Sequence, residues 1–323
     1  MRGGDGAPRR SASGRIPRWA TDEALGADHP PPGRPDLPPP VAAMPRRGTG
    51  GASGRRRRNR RPGSGAKTLM VLALVAFLFF GPGLLQRYVV PAIEPYLPGA
   101  DVPPRGVEAA AEPLGRPPAV APSSGFALQP VPGDSQPFAA YDPCRPVHYV
   151  IRPDNAPAGG ERLIHEAVAE VSLATGLSFV HDGGTAEAFA DDGREKFQPE
   201  RYGKRWAPVL FAWSTPEEVP RLEGDTAGLG GSSFANAPGG PFVLVAGQVA
   251  LDAPVMADMM GWPDGADAVR GVILHELGHV MGLDHVADPS QLMYVGPGGA
   301  SSLADGDRAG LAILGTGECV PQL

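Results

Sequence analysis

Cysteine is scarce: the 323 residues contain only Cys144 and Cys319, so at most one internal disulfide can form. A periodic apolar pattern is absent from residues 1–65, where proline runs at 30–32 and 38–40 exclude a packed core. Positive charge is sparse in the C-terminal part, with 11 basic against 25 acidic residues over 142–323. That balance argues against a nucleic-acid partner there. Proline and glycine are plentiful instead, at 39 and 45 residues, and they crowd the first 140 positions. The remaining stretch of roughly 180 residues is long enough for one sizeable core.

The chain therefore divides by composition. Residues 1–65 carry 14 arginines and 5 acidic residues and read as a disordered, Arg/Pro-rich tail. Its last arginines, the run RRRRNRR at 55–61, directly precede an apolar stretch over 66–86. About twenty helical residues span the roughly 30 Å of a bilayer core. Arginines before the stretch place the N-terminus inside. The expectation is a single transmembrane signal anchor, with the N-terminus cytoplasmic and the remainder outside the cell. The rival is a cleaved signal peptide leaving a secreted protein. A long leading tail and the lack of an A-x-A site oppose it, and a start at Met44 would favour it. Residues 87–140, rich in proline and alanine, read as an extended spacer.

A folded domain is expected over 141–323. Strands are read at 147–151, 177–180 and 209–213, and strand-like runs at 242–246 and 248–251. Residues 161–175 show a helical apolar stripe (Leu163, Ile164, Ala167, Val168, Val171) stopped by Gly176. Residues 181–206 read as a long polar surface loop, and 226–234 as an edge strand or loop. This order implies an α+β domain, a twisted mixed sheet with two helices packed on it. Cys144 and Cys319 bracket the domain, and export makes a disulfide between its ends the natural reading over two unpaired thiols.

The chemistry concentrates in residues 275–285, HELGHVMGLDH. Val269, Val272, Ile273, Leu277 and Val280 recur at helical spacing before and within it, with Asp264 or Asp267 as the cap. His275 and His279 then stand one turn apart on one face, close enough to share a metal ion. Gly282 can take φ > 0, end the helix and return the chain so that His285 adds a third nitrogen. Three protein ligands leave a position for water, the mark of a catalytic rather than a structural zinc site. Zinc lowers the pKa of such a water towards roughly 7, and Glu276 is placed to take its proton and pass it to a leaving amine. The competing readings are a histidine-rich surface helix and a catalytically inactive zinc-containing binding or envelope-associated module. A pure binding site has no need of Glu276.

These residues, spaced H-E-x-x-H-x-x-G-x-x-H, resemble the metzincin metallopeptidases, and the matrixin-like branch in particular. The segment DPSQLMY at 288–294 is similar to the matrixin run into the Met-turn, and LADGD at 303–307 to the start of that family's C-terminal helix. The resemblance implies a zincin domain with one catalytic Zn2+, a protein or peptide substrate, and Met293 as an apolar floor beneath the metal. No cysteine precedes Cys144, so the family's Pro-Arg-Cys-Gly latency device is not supported. Only His181 and Asp182 lie where vertebrate matrixins hold a second, structural zinc, so His148, His165 and His181 read as surface or satisfied core histidines. Asp288 either bonds backbone in its own turn or supports a ligand histidine from behind. Tyr294 is assigned to the substrate-pocket wall, and the glycine-rich stretch 228–232 to an edge that a substrate strand could join. Calcium at Asp191 and Asp192, or at Glu223 and Asp225, lacks a supporting spacing.

Overall fold

In a computed structural model of the chain, residues 82–93 and 100–323 are described apart from 297–298, with a few isolated positions (72, 77, 78, 80 and 97) besides. The tail 1–65 and most of the expected anchor 66–86 therefore lie outside the described residues. Among the described residues no helix is long and apolar enough to cross a membrane.

The centre is a five-stranded sheet built from β2 (Val147–Arg152), β3 (Phe179–Gly184), β4 (Val209–Ser214), β5 (Gly228–Asn236) and β6 (Phe242–Asp252), in the order β3-β2-β4-β6-β5. Three neighbouring pairs are parallel and the β5–β6 pair is antiparallel, so the sheet is mixed. Every residue of β4 is buried, as the continuous apolar run VLFAW before Ser214 requires of a central strand. Helix α1 (Gly160–Thr175) buries Leu163, Ile164, Ala167, Val168 and Val171 along one stripe and ends where Gly176 takes a left-handed φ of 71°. Helix α2 (Ala253–Met259) is capped by Asp252, whose side chain accepts from the Val255 N–H. Helix α3 (Gly265–Met281) inserts Val269, Ile273, Leu277 and Val280 into the core it shares with Phe211, Trp213 and α1. Each such side chain, fully withdrawn from water, contributes about 1.5–3 kcal/mol. At the start of α3, Asp264 occupies the cap position but its side chain makes no capping bond. Helix α4 (Asp305–Leu314) closes the domain.

Three sequence expectations are revised. The two runs 242–246 and 248–251 form one strand, β6, in which Ala246 and Gly247 together face Ser232 of β5 as a β-bulge. Ala246 accordingly takes φ 50°. The bulge is fastened by buried Tyr141, whose hydroxyl lies 2.9 Å from Ser232 Oγ and accepts from the Gly247 N–H at 3.1 Å. Burial pushes the Tyr141 phenol up to about 12.

The loop 181–206 is not simply a polar surface segment. It folds around Arg194, which donates twice to Glu187 (2.8 and 2.7 Å) and once to the Gly247 carbonyl (2.9 Å). Paired in this way, two buried charges are tolerable.

Residues 103–140, expected as part of a free spacer, lie along the domain instead. The Gly106, Ala110 and Leu114 N–H groups donate to the carbonyls of Pro321, Cys144 and Pro143. Short strand β1 (Ala127–Leu128) pairs antiparallel with β7 (Leu283–Asp284), and Val131 is 5% exposed. An extended proline-rich chain satisfies few of its own polar groups, so a neighbouring backbone that supplies partners can hold it. Cys144 and Cys319 form a disulfide with a Cα–Cα distance of 5.3 Å, joining the start of the sheet to the C-terminal end.

Candidate active site

Helix α3 carries His275 and His279 on the face turned away from the core, and it stops at Gly282. There φ is 113°, and the N–H bonds back to the carbonyls of Gly278 and His279 at 3.1 Å. A side chain at this position would be strained and would press on the Ala139 carbonyl and Leu314 at 3.2 Å. The reversed chain forms β7 and then presents His285. Its Nε2 lies 3.2 Å from His275 Nε2 and 3.0 Å from His279 Nε2.

The ring orientations are set from behind. His275 Nδ1 donates to the Leu292 carbonyl at 2.8 Å and His279 Nδ1 to the Leu283 carbonyl at 2.9 Å. A carbonyl only accepts, so the proton sits on Nδ1 and the Nε2 lone pair faces the shared point. Burial lowers the His279 imidazole to about 4 and also lowers His275, which keeps both neutral at physiological pH. Three convergent imidazole nitrogens, those of His275 and His279 left unprotonated by these bonds, fit a zinc ion in number and type.

Glu276, 7% exposed, lies against β5. A Cβ on Gly228 would sit 2.7 Å from Glu276 Cγ, and one on Gly230 would collide with the Glu276 carbonyl. These glycines let the strand approach the helix this closely. Burial pushes the Glu276 carboxyl up to about 8. A cation on the adjacent histidines would act in the opposite direction.

Met293, 1% exposed, passes under α3. Its Sδ is 2.7 Å from where a Cβ on Gly278 would be, so glycine is what allows the methionine to pack there. The turn holding it depends on Asp307, which is fully buried and accepts from the N–H groups of Leu292 (2.8 Å), Met293 (3.3 Å) and Ala304 (2.8 Å). Asp288 accepts from the Ser290 N–H (2.9 Å) and hydroxyl (2.8 Å), closing its own turn, while the ligand histidines are held by carbonyls. The Tyr294 ring lies over Gly296, where a Cβ would meet its hydroxyl. Of the other domain histidines, His148 Nδ1 faces Asp182 at 2.9 Å, and Asp191 is paired with Arg221 at 3.1 Å.

Two contributors are not evident from the motif. Gln129, in the segment expected as spacer, donates from Nε2 to the carbonyls of His279 (3.0 Å) and Leu283 (3.1 Å), while its N–H bonds to the Gly282 carbonyl (2.9 Å). It thus clamps the turn between the second and third histidines. Asp307 lies in the quoted run LADGD, but nothing in the spacing shows that its carboxylate points back to residues 292–293. Gln129 shows in the sequence only as a polar side chain between Leu128 and Pro130, and Asp307 is hidden in a charged run beside Asp305 and Arg308.

No curated protein matches the chain. Residues 196–313, which contain the three histidines, Glu276, Met293 and Asp307, match the family model for matrixin. The chain therefore carries a matrixin-like metallopeptidase catalytic domain.

Proposed function

We propose that this protein is a membrane-anchored, extracytoplasmic endopeptidase that hydrolyses peptide bonds at a single catalytic zinc. The convergence of three imidazole Nε2 atoms beside a buried carboxylate carries the reading. His275, His279 and His285 would hold the ion. When bound, zinc supplies Lewis acidity to a water molecule and to the scissile carbonyl.

The chain's own groups do the rest. The Leu292 and Leu283 carbonyls keep the Nδ1 protons in place and so keep Nε2 available. Glu276 takes a proton at its carboxylate as the water attacks and returns it to the leaving amine. Its buried setting limits competing bulk water. Met293 and Asp307 hold the floor rigid beneath the histidines. Among the described residues strand β5 pairs with β6 alone, so its outer edge offers backbone groups to a peptide added as a further strand, with Gly228 and Gly230 alongside Glu276. Tyr294 is assigned to the wall of the pocket beside the scissile bond.

Membrane placement rests on the apolar run 66–86 after the arginine cluster, and the Cys144–Cys319 disulfide agrees with an oxidising compartment. The test is digestion of an unstructured peptide library by the full-length protein. Cleavage at internal bonds, abolished by a chelator and restored by zinc, is expected. Absence of cleavage from zinc-loaded protein would overturn the reading.

A further inference from the structure

A second group of ligating side chains lies where α1 passes the edge strand β3. Glu161 and His165 are four residues apart near the start of α1 and so share a face, with His165 Nε2 3.6 Å from Glu161 Oε1. His181 joins them because β2 and β3 pair in parallel with Tyr149 directly opposite His181. The Tyr149 ring stacks on His181 (centroids 4.9 Å, planes 25° apart) and meets His165 edge-on at 5.8 Å. Its hydroxyl lies 2.7 Å from His165 Nδ1. The two imidazoles meet edge-on, 4.6 Å between centroids and 71° between planes, and one ligand atom from each of Glu161, His165 and His181 falls within 4.8 Å of the others.

A surface ion pair between Glu161 and His165 explains one of these contacts. It does not call for a second imidazole on the same spot, nor for a buried tyrosine orienting both rings. Tyr149 occupies one nitrogen of His165 and leaves Nε2 turned toward Glu161, which is how an outer partner prepares a metal-ligating histidine. Two imidazoles with one carboxylate suit a borderline transition ion better than calcium or magnesium, which prefer all-oxygen surroundings.

We propose that Glu161, His165 and His181 form a second metal site, for a divalent transition ion of the zinc class, separate from the three-histidine centre. The bound ion would tie the start of α1 to β3, which among the described residues pairs with β2 alone. Three protein ligands leave its outer positions to water.

Zinc stoichiometry of the full-length protein, stripped with chelator and titrated by calorimetry, tests this. Two ions per chain are expected for the natural sequence and one for the His165→Ala/His181→Ala variant, with peptide hydrolysis by that variant unchanged. A single ion in the natural protein, or two in the variant, would overturn the proposal. Should the alanine pair not fold, Glu161→Gln leaves both rings on Tyr149 and is expected to weaken the second site at least tenfold. An unaltered second affinity there would equally overturn it. Because the active-site histidines are untouched, a failure here leaves the peptidase reading standing, and loss of hydrolysis alone would leave the second site standing.

Discussion

Asp307→Ala is expected to be among the most damaging single changes outside the metal ligands. The carboxylate is fully buried and accepts from three main-chain N–H groups, those of Leu292, Met293 and Ala304. Alanine leaves all three donors without that acceptor. Each buried unpaired group costs about 1–3 kcal/mol, so the lower bound is about 3 kcal/mol against a typical total of about 5–15 kcal/mol. Asparagine keeps one acceptor oxygen but turns an NH2 toward a donor, and should cost less, about 2 kcal/mol. The loss should also reach the metal, because the freed turn contains the Leu292 carbonyl that orients His275. Removing such an outer support weakens metal binding about 10–100-fold. Urea unfolding of the chelator-treated full-length protein measures the first effect as a shift in midpoint at constant slope. Zinc titration measures the second. A stability loss below about 1 kcal/mol for the alanine variant, with unchanged zinc affinity, would refute the role given to this carboxylate.

Gln129→Ala should lower zinc affinity at the three-histidine site several-fold with a modest loss of stability, since it releases the carbonyls of His279 and Leu283; calorimetric titration checks it. Burial pushes the Glu187 carboxyl up, but the hydrogen bond and charge of Arg194, with Tyr202 and Gln198, outweigh it and hold it below the ordinary carboxylate range. The folded state therefore binds this proton less readily than the unfolded chain, so the stabilisation is complete above the unfolded pKa of about 4.3 and is lost as pH falls through the lower folded value. Glu187→Gln should cost about 3–5 kcal/mol at neutral pH by leaving Arg194 unpaired, and should flatten the loss of stability below pH of about 4 in acid-unfolding curves. Reduction of Cys144–Cys319, which spans a sequence separation of 175, should destabilise the domain by up to about 5 kcal/mol, read as a fall in urea midpoint.

What was legible in the sequence was local in origin. The offsets of His275, Glu276, His279, Gly282 and His285 follow from helix geometry plus one left-handed turn, and the structure brings the three imidazoles together as that geometry requires. The α1 stripe and the buried run of β4 were equally readable, because each reports on a single element. The rest depends on pairings distant along the chain. Gln129 is 150 residues from His279, and no periodicity marks a proline-rich segment as one that will lie against a domain. The bulge at Ala246–Gly247 divided β6 into two apparent strands, since an extra residue shifts the alternation on which a strand is recognised. His165 and His181 read singly as surface or satisfied core histidines, and only the register of β2 on β3 places Tyr149 against both.

In the proposed reaction Glu276 moves the proton for hydrolysis beside a zinc ion held by His275, His279 and His285. Glu276→Gln, compared with the natural protein at equal zinc content, tests it most directly. General-base catalysis is worth about 10²–10⁴-fold, so peptide cleavage should fall by at least about 10²-fold while the bound zinc is unchanged. Cleavage within a few-fold of the natural protein at the same metal content would contradict it.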